Sequence, residues 1–112
     1  VAYDEDLADR IREVIAVEPD LTEQRMFGGL AFLIGGNMAV AASGQGGIMV
    51  RADPHTTDAL VESGDAELVE MRGRPMKGWL RVAPGRLRTE PQLARWVTLG
   101  VEHARSLPRK RR

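Results

Sequence analysis

His55 stands two residues after Asp53 and three before Asp58, and an imidazole between carboxylates can carry protons or hold a divalent metal. The run Asp53-Pro54-His55-Thr56-Thr57 equally fits a strand-to-helix connection in which short polar groups cap backbone amides, and that structural role is favoured. The other imidazole, His103, has Glu102 and Arg105 nearby. Ser43 lacks both the G-x-S-x-G surroundings of a nucleophile elbow and an identifiable base. With no cysteine in 112 residues, disulfides, thiolate metal sites and thiol nucleophiles are excluded. Neither Gly28-Gly29 nor Gly44-Gln45-Gly46-Gly47 is followed by the Lys-Ser/Thr pair of a phosphate loop, and no G-x-G-x-x-G joins a predicted strand to a helix. No catalytic, cofactor or metal residue is therefore assigned. The chain reads as a non-enzyme, with an enzyme or small-molecule binder centred on His55 as an alternative.

Charge supplies a second candidate. Residues 1–70 carry 14 acidic side chains against four basic ones, and residues 71–112 carry 12 basic against two acidic, although the formal net charge is zero. Arg72, Arg74, Lys77, Arg81, Arg86 and Arg88 surround Trp79, and Arg109, Lys110, Arg111 and Arg112 follow Pro108. In a polyanion-binding surface these cations would meet phosphates while the indole stacks on an exposed base. The competing reading is a solvated flank that answers the acidic half of the chain, with Trp79 in the core.

The elements that must position these groups follow from periodicity. Leu7, Ile11, Val14 and Ile15 place a helix over residues 5–17, capped by Asp4 and stopped near Pro19. Gln24 to Phe27 is expected to begin a strand that bends at Gly28-Gly29 and continues from Leu30 to Ile34. Gly35-Gly36-Asn37 turns it into Met38–Ala42, and Ser43–Gly47 reverses it into Ile48–Arg51. The alanines at 39, 41 and 42 leave room for a helix against that sheet. A short helix over His55–Ser63 ends at Gly64, and Glu67–Glu70 is expected to pair with Gly78–Val82 across a basic loop, Met71–Lys77. Thr89 and Gln92 form a capping box for a final helix with Leu93, Trp96, Val97, Val101, Ala104 and Leu107 on one face. Gly100 within it marks a bend or a close contact.

The expected assembly is one α+β domain over 1–108, an antiparallel sheet with helices mainly on one face, followed by a flexible basic tail at 109–112. Met26 to Val50 contains no ionisable side chain, but its glycine clusters suit paired strands rather than a span of about 20 apolar residues. The acidic start, Val1-Ala2-Tyr3-Asp4-Glu5-Asp6, does not resemble a secretion signal, so a cytoplasmic protein with no membrane association is expected.

The stretch Arg25-Met26-Phe27-Gly28-Gly29-Leu30-Ala31-Phe32-Leu33, continuing through Gly36-Asn37-Met38-Ala39-Val40 to Ile48-Met49-Val50-Arg51, resembles the N-terminal domain of the TfoX/Sxy family. Met76-Lys77-Gly78-Trp79 and Leu93-Ala94-Arg95-Trp96-Val97 are similar to actinobacterial-type members. The resemblance implies a compact α+β domain like type III secretion chaperones. It implies no catalytic residues, and it makes Met26, Phe27, Gly28 and Gly29 a fold motif. Two-domain relatives regulate competence with a cyclic-AMP-responsive transcription activator. The expectation is a non-enzymatic protein-binding or regulatory domain, homodimeric or with another protein partner. The alternative is a nucleic-acid-associated accessory protein using 72–88 and the tail.

Overall fold

Asp4 accepts the Leu7 amide at 3.1 Å and starts α1 (Glu5–Ile15), whose apolar side chains Leu7, Ile11 and Ile15 all turn inward. The structure is a computed structural model and describes residues 3–26 and 28–110. Phe27, Arg111 and Arg112 lie outside the described residues. After α1 come β1 (Leu21–Met26), β2 (Gly29–Ile34), β3 (Asn37–Ala42), β4 (Ile48–Arg51), α2 (Pro54–Glu62), β5 (Glu67–Met71), β6 (Arg74–Val82) and α3 (Glu90–Ser106). A single 3₁₀ turn at Pro84–Arg86 joins β6 to α3. The six strands form one sheet in the order β1-β2-β3-β4-β6-β5, with every neighbouring pair antiparallel. The fold is α+β.

Two strand assignments differ from expectation. The segment around Gly28-Gly29 is not one bent strand: β1 and β2 are separate antiparallel strands, with Met26 opposite Gly29. Gly28 takes φ +74°, in the left-handed region that a tight reversal needs, and so the chain folds back instead of bending. The expected basic loop at Met71–Lys77 is likewise a hairpin. β5 and β6 extend toward each other and leave only Arg72 and Gly73 between them, at φ +53° and +76°. Two successive positive φ angles are the signature of a type I′ turn, whose twist matches that of paired strands.

The sheet has two unlike faces. On one, Phe32, Val40, Ile48, Val50, Leu80 and Val82 pack beneath α1 and α3 and against Leu60 and Val61 of α2. Their helical partners include Ile11, Leu93, Trp96, Val97 and Val101. On the other, Ala31, Leu33, Met38, Ala41 and Met49 form a smaller cluster, completed by the half-buried Met26, Val69 and Trp79. Among the described residues, every strand contributes to this second layer and no helix residue does. The unbranched methionines fill a surface of strands without requiring a fixed complementary shape.

The C-terminal segment closes the end of the sheet at the β2–β3 turn. Asn37, only 3% exposed, donates from Nδ2 to the Pro108 carbonyl at 3.0 Å, and the Lys110 amide donates to the Gly35 carbonyl at 2.9 Å. Arg109 pairs with Asp20 at 3.2 Å. Arg109 and Lys110, expected in a flexible tail, thus lie against the turn.

Candidate strand-edge binding surface

Among the described residues, the sequence-derived chemistry is placed in structural roles. Asp53 Oδ1 accepts the His55 amide at 2.9 Å and Asp53 O accepts the Thr56 hydroxyl at 2.8 Å, so the Asp-Pro-His-Thr run caps α2 and leaves the imidazole exposed. Ser43 Oγ accepts the Gln45 amide at 3.1 Å within the β3–β4 reversal. His103 lies on α3 and is held below its ordinary pKa, first by burial and then by the charge of Arg51, against the pull of Asp53. No group of three or more His, Asp or Glu among the described residues could hold a metal ion.

The candidate polyanion-binding residues are divided by the sheet. Antiparallel register sets Arg72, Arg74 and Lys77 at the end where β4 finishes, the same end as the β2–β3 turn with Arg109 and Lys110. Arg81 lies toward the opposite end, opposite Met49 in the ladder, and donates to Gln45 Oε1. Arg86 and Arg88 flank the start of α3 beyond that end. Arg86 is paired with Asp65 at 2.9 Å. Trp79 is half-buried in the strand-only cluster, and the Arg51 guanidinium lies 5.2 Å from its ring centroid. One cation of the same chain thus already lies over the indole ring.

Ion pairing takes up part of the charge divided along the sequence. Acidic residues from the first half meet Arg86, Arg105 and Arg109 from the second, through Asp65, Glu18 and Asp20. The Glu18–Arg105 pair is the most enclosed, with the Glu18 side chain 6% exposed, and nothing in the local sequence marked it. Arg12 grips Glu23 with two bonds of 2.8 Å and holds that carboxyl below its usual range.

The motif glycines are structural. Gly28 forms the β1–β2 reversal, while a Cβ on Gly29 would lie under 3.0 Å from the Ala42 carbonyl. Gly78, at φ +84°, is the centre of an irregularity in β6: Leu80 faces Leu68, yet Met76 faces the next residue, Val69. Lys77-Gly78-Trp79 is therefore extra chain on β6, and the Gly78 carbonyl accepts the Ala52 amide at 2.8 Å. Met26 packs in the strand-only layer.

What sequence reasoning did not find is the surface around β5. This strand ends the sheet beyond β6, and its residues Leu68, Val69 and Met71 are half-buried or exposed. Along it runs an open concavity of about 740 Å³, bordered by Met49, Val61, Val69 and Met71 and by the charged Glu67 and Arg81. The hairpin signal was concealed because Arg72 at positive φ is uncommon for a residue with a side chain.

Residues 13–104 match the family model for the TfoX N-terminal domain. The chain belongs to that family. A comparison with curated proteins returned no match. The family match points to a regulatory or competence-related domain. The match covers α1 from its last turn through all six strands and nearly all of α3. No helix among the described residues of this TfoX-type domain is long and apolar enough to cross a membrane.

Proposed function

We propose that this TfoX-type domain is a non-enzymatic regulatory module that binds a polypeptide by strand addition along β5. The open β5 edge beside the 740 Å³ concavity carries the reading. Backbone groups at a sheet edge recognise any extended chain, while the side-chain pockets beside it select among them. Met49, Val69 and Met71 offer adaptable apolar contacts, and Glu67 and Arg81 offer charge. A role in transcriptional regulation in the cytoplasm would follow from such a contact with a regulator.

Site-specific photocrosslinking tests this reading. A photoreactive group at Met71 should give polypeptide adducts that excess unlabelled domain competes away, whereas one at the exposed Glu13 of α1 should not. Equal labelling from both positions, or none from Met71, would refute binding at this edge.

A second reading, association with nucleic acid, is favoured by the gathering of Arg72, Arg74, Lys77, Arg109 and Lys110 at one end of the sheet. It predicts binding to mixed DNA or RNA that weakens steeply as salt is raised. No binding at low salt would reject it.

A further inference from the structure

We infer that the occupant of the β5 edge is the β5 strand of a second copy, paired antiparallel about a two-fold axis at Val69. The inference rests on the preceding reading of that edge and names its partner. Glu70 stands opposite Pro75, which has no N–H, so this cannot be a ladder pair that exchanges two hydrogen bonds. The Glu70 N–H and C=O therefore point away from β6, and alternation along β5 turns those of Leu68 the same way. Among the described residues, neither finds another backbone partner.

The sequence of β5 is complementary to itself when reversed. With Val69 opposite its own copy, Glu67 faces Met71 and Leu68 faces Glu70, so all five residues pair and no like charges meet. Moving the axis to Glu70 would instead set that carboxylate against its twin. The neighbouring charges favour the same register. Arg74 stands beside Met71 in the existing ladder, so the row across the joined sheets would run Arg74, Met71, then Glu67 of the second copy. Glu67, Arg72 and Arg74 are exposed and take part in none of the ion pairs among the described residues. The two-fold axis would bring the basic hairpin tip of each copy to the acidic start of β5 in the other.

The opposite edge fits this role poorly. The central residues of β1 are Thr22, Glu23, Gln24 and Arg25, all polar, and Glu23 is held by Arg12. Met71 at the β5 edge, by contrast, is one of two large apolar side chains exposed among the described residues. A five-residue contact is short, so the association is expected to be reversible and concentration-dependent.

Sedimentation velocity over a concentration series, with backbone hydrogen exchange on the same samples, tests the pairing. The wild-type protein should move from monomer to dimer, and exchange of the Glu70 amide should slow as the dimer forms. Glu67→Arg and Arg74→Glu should each weaken self-association by about tenfold or more, because each sets like charges across the axis. An equimolar mixture of the two variants should recover wild-type association, since the reversed charges then face each other. A wild-type monomer throughout would overturn the inference, as would a dimer whose Glu70 exchange is unchanged or a mixture no better than its components. These outcomes are separable from failure of strand addition itself. A monomer that still crosslinks to other polypeptides from Met71 refutes self-pairing alone, and a monomer that crosslinks to none refutes both.

Discussion

Gly100 of α3 crosses the bulged strand β3 at Ala39, and a Cβ on Gly100 would lie under 3.0 Å from the Ala39 carbonyl oxygen. Ala39 is the residue left without a β2 partner, because Val40 faces Phe32 and Met38 faces Leu33. Alanine at a helix interior is favoured over glycine by about 1 kcal/mol. Overpacking against a backbone atom outweighs that gain, so Gly100→Ala should destabilise the domain by a net amount of about 1–3 kcal/mol. Urea denaturation measures it, and a stabilised variant would show that the helix does not sit this close.

The Glu18–Arg105 pair offers a second test, because the carboxylate is buried and the guanidinium is 56% exposed. Removing the arginine leaves the acid without its partner, and Arg105→Ala should lose about 1–3 kcal/mol, less than a fully buried pair. Glu18→Gln in the Arg105→Ala background should recover part of that loss. A double-mutant cycle reads the coupling directly.

His103 predicts a pH dependence. Its folded pKa lies below the ordinary 6.5, so the unfolded chain binds the proton more readily. Its contribution is full above about pH 6.5 and is lost as pH falls toward the folded value. The urea midpoint should drop between about pH 7 and 5 in the wild type and drop less in His103→Gln. Arg51→Gln should raise the His103 pKa seen by NMR titration. Glu23, lowered by its bond to Arg12, loses its contribution only at more acid pH, below its ordinary 4.5, so the two effects separate.

Asn37 links β3 to the C-terminal segment through the Pro108 carbonyl. Asn37→Ala removes a buried hydrogen bond and should lose about 1–2 kcal/mol. Because the same segment holds the Lys110 amide on Gly35, exchange of that amide should speed up more than exchange in the middle of α3.

Most helix positions were legible because their signals are local. Asp4 caps α1, and Thr89 and Gln92 exchange the two bonds of a capping box at 3.2 and 3.0 Å. Gly100 was legible as a bend or a close contact, because glycine in a long amphipathic helix otherwise has no advantage there, and its approach to Ala39 makes it the contact. The first hairpin was less so. Thr22 to Arg25 show no alternating apolar face because β1 is an edge strand, leaving the glycine pair to be read as a bend. Glu18 and Arg105 are 87 positions apart, and no local pattern marks a pair joined only by tertiary packing. The β5 edge was hidden for the same reason, since edge position depends on β6 entering between β4 and β5.

That insertion governs when the molecule can acquire its structure during synthesis. β5 leaves the ribosome before β6, the strand that joins it to β4, and the inner face of β2–β4 has only α1 to cover part of it until α3 follows. A nascent chain ending anywhere before about residue 100 therefore carries an apolar sheet face that is only partly covered.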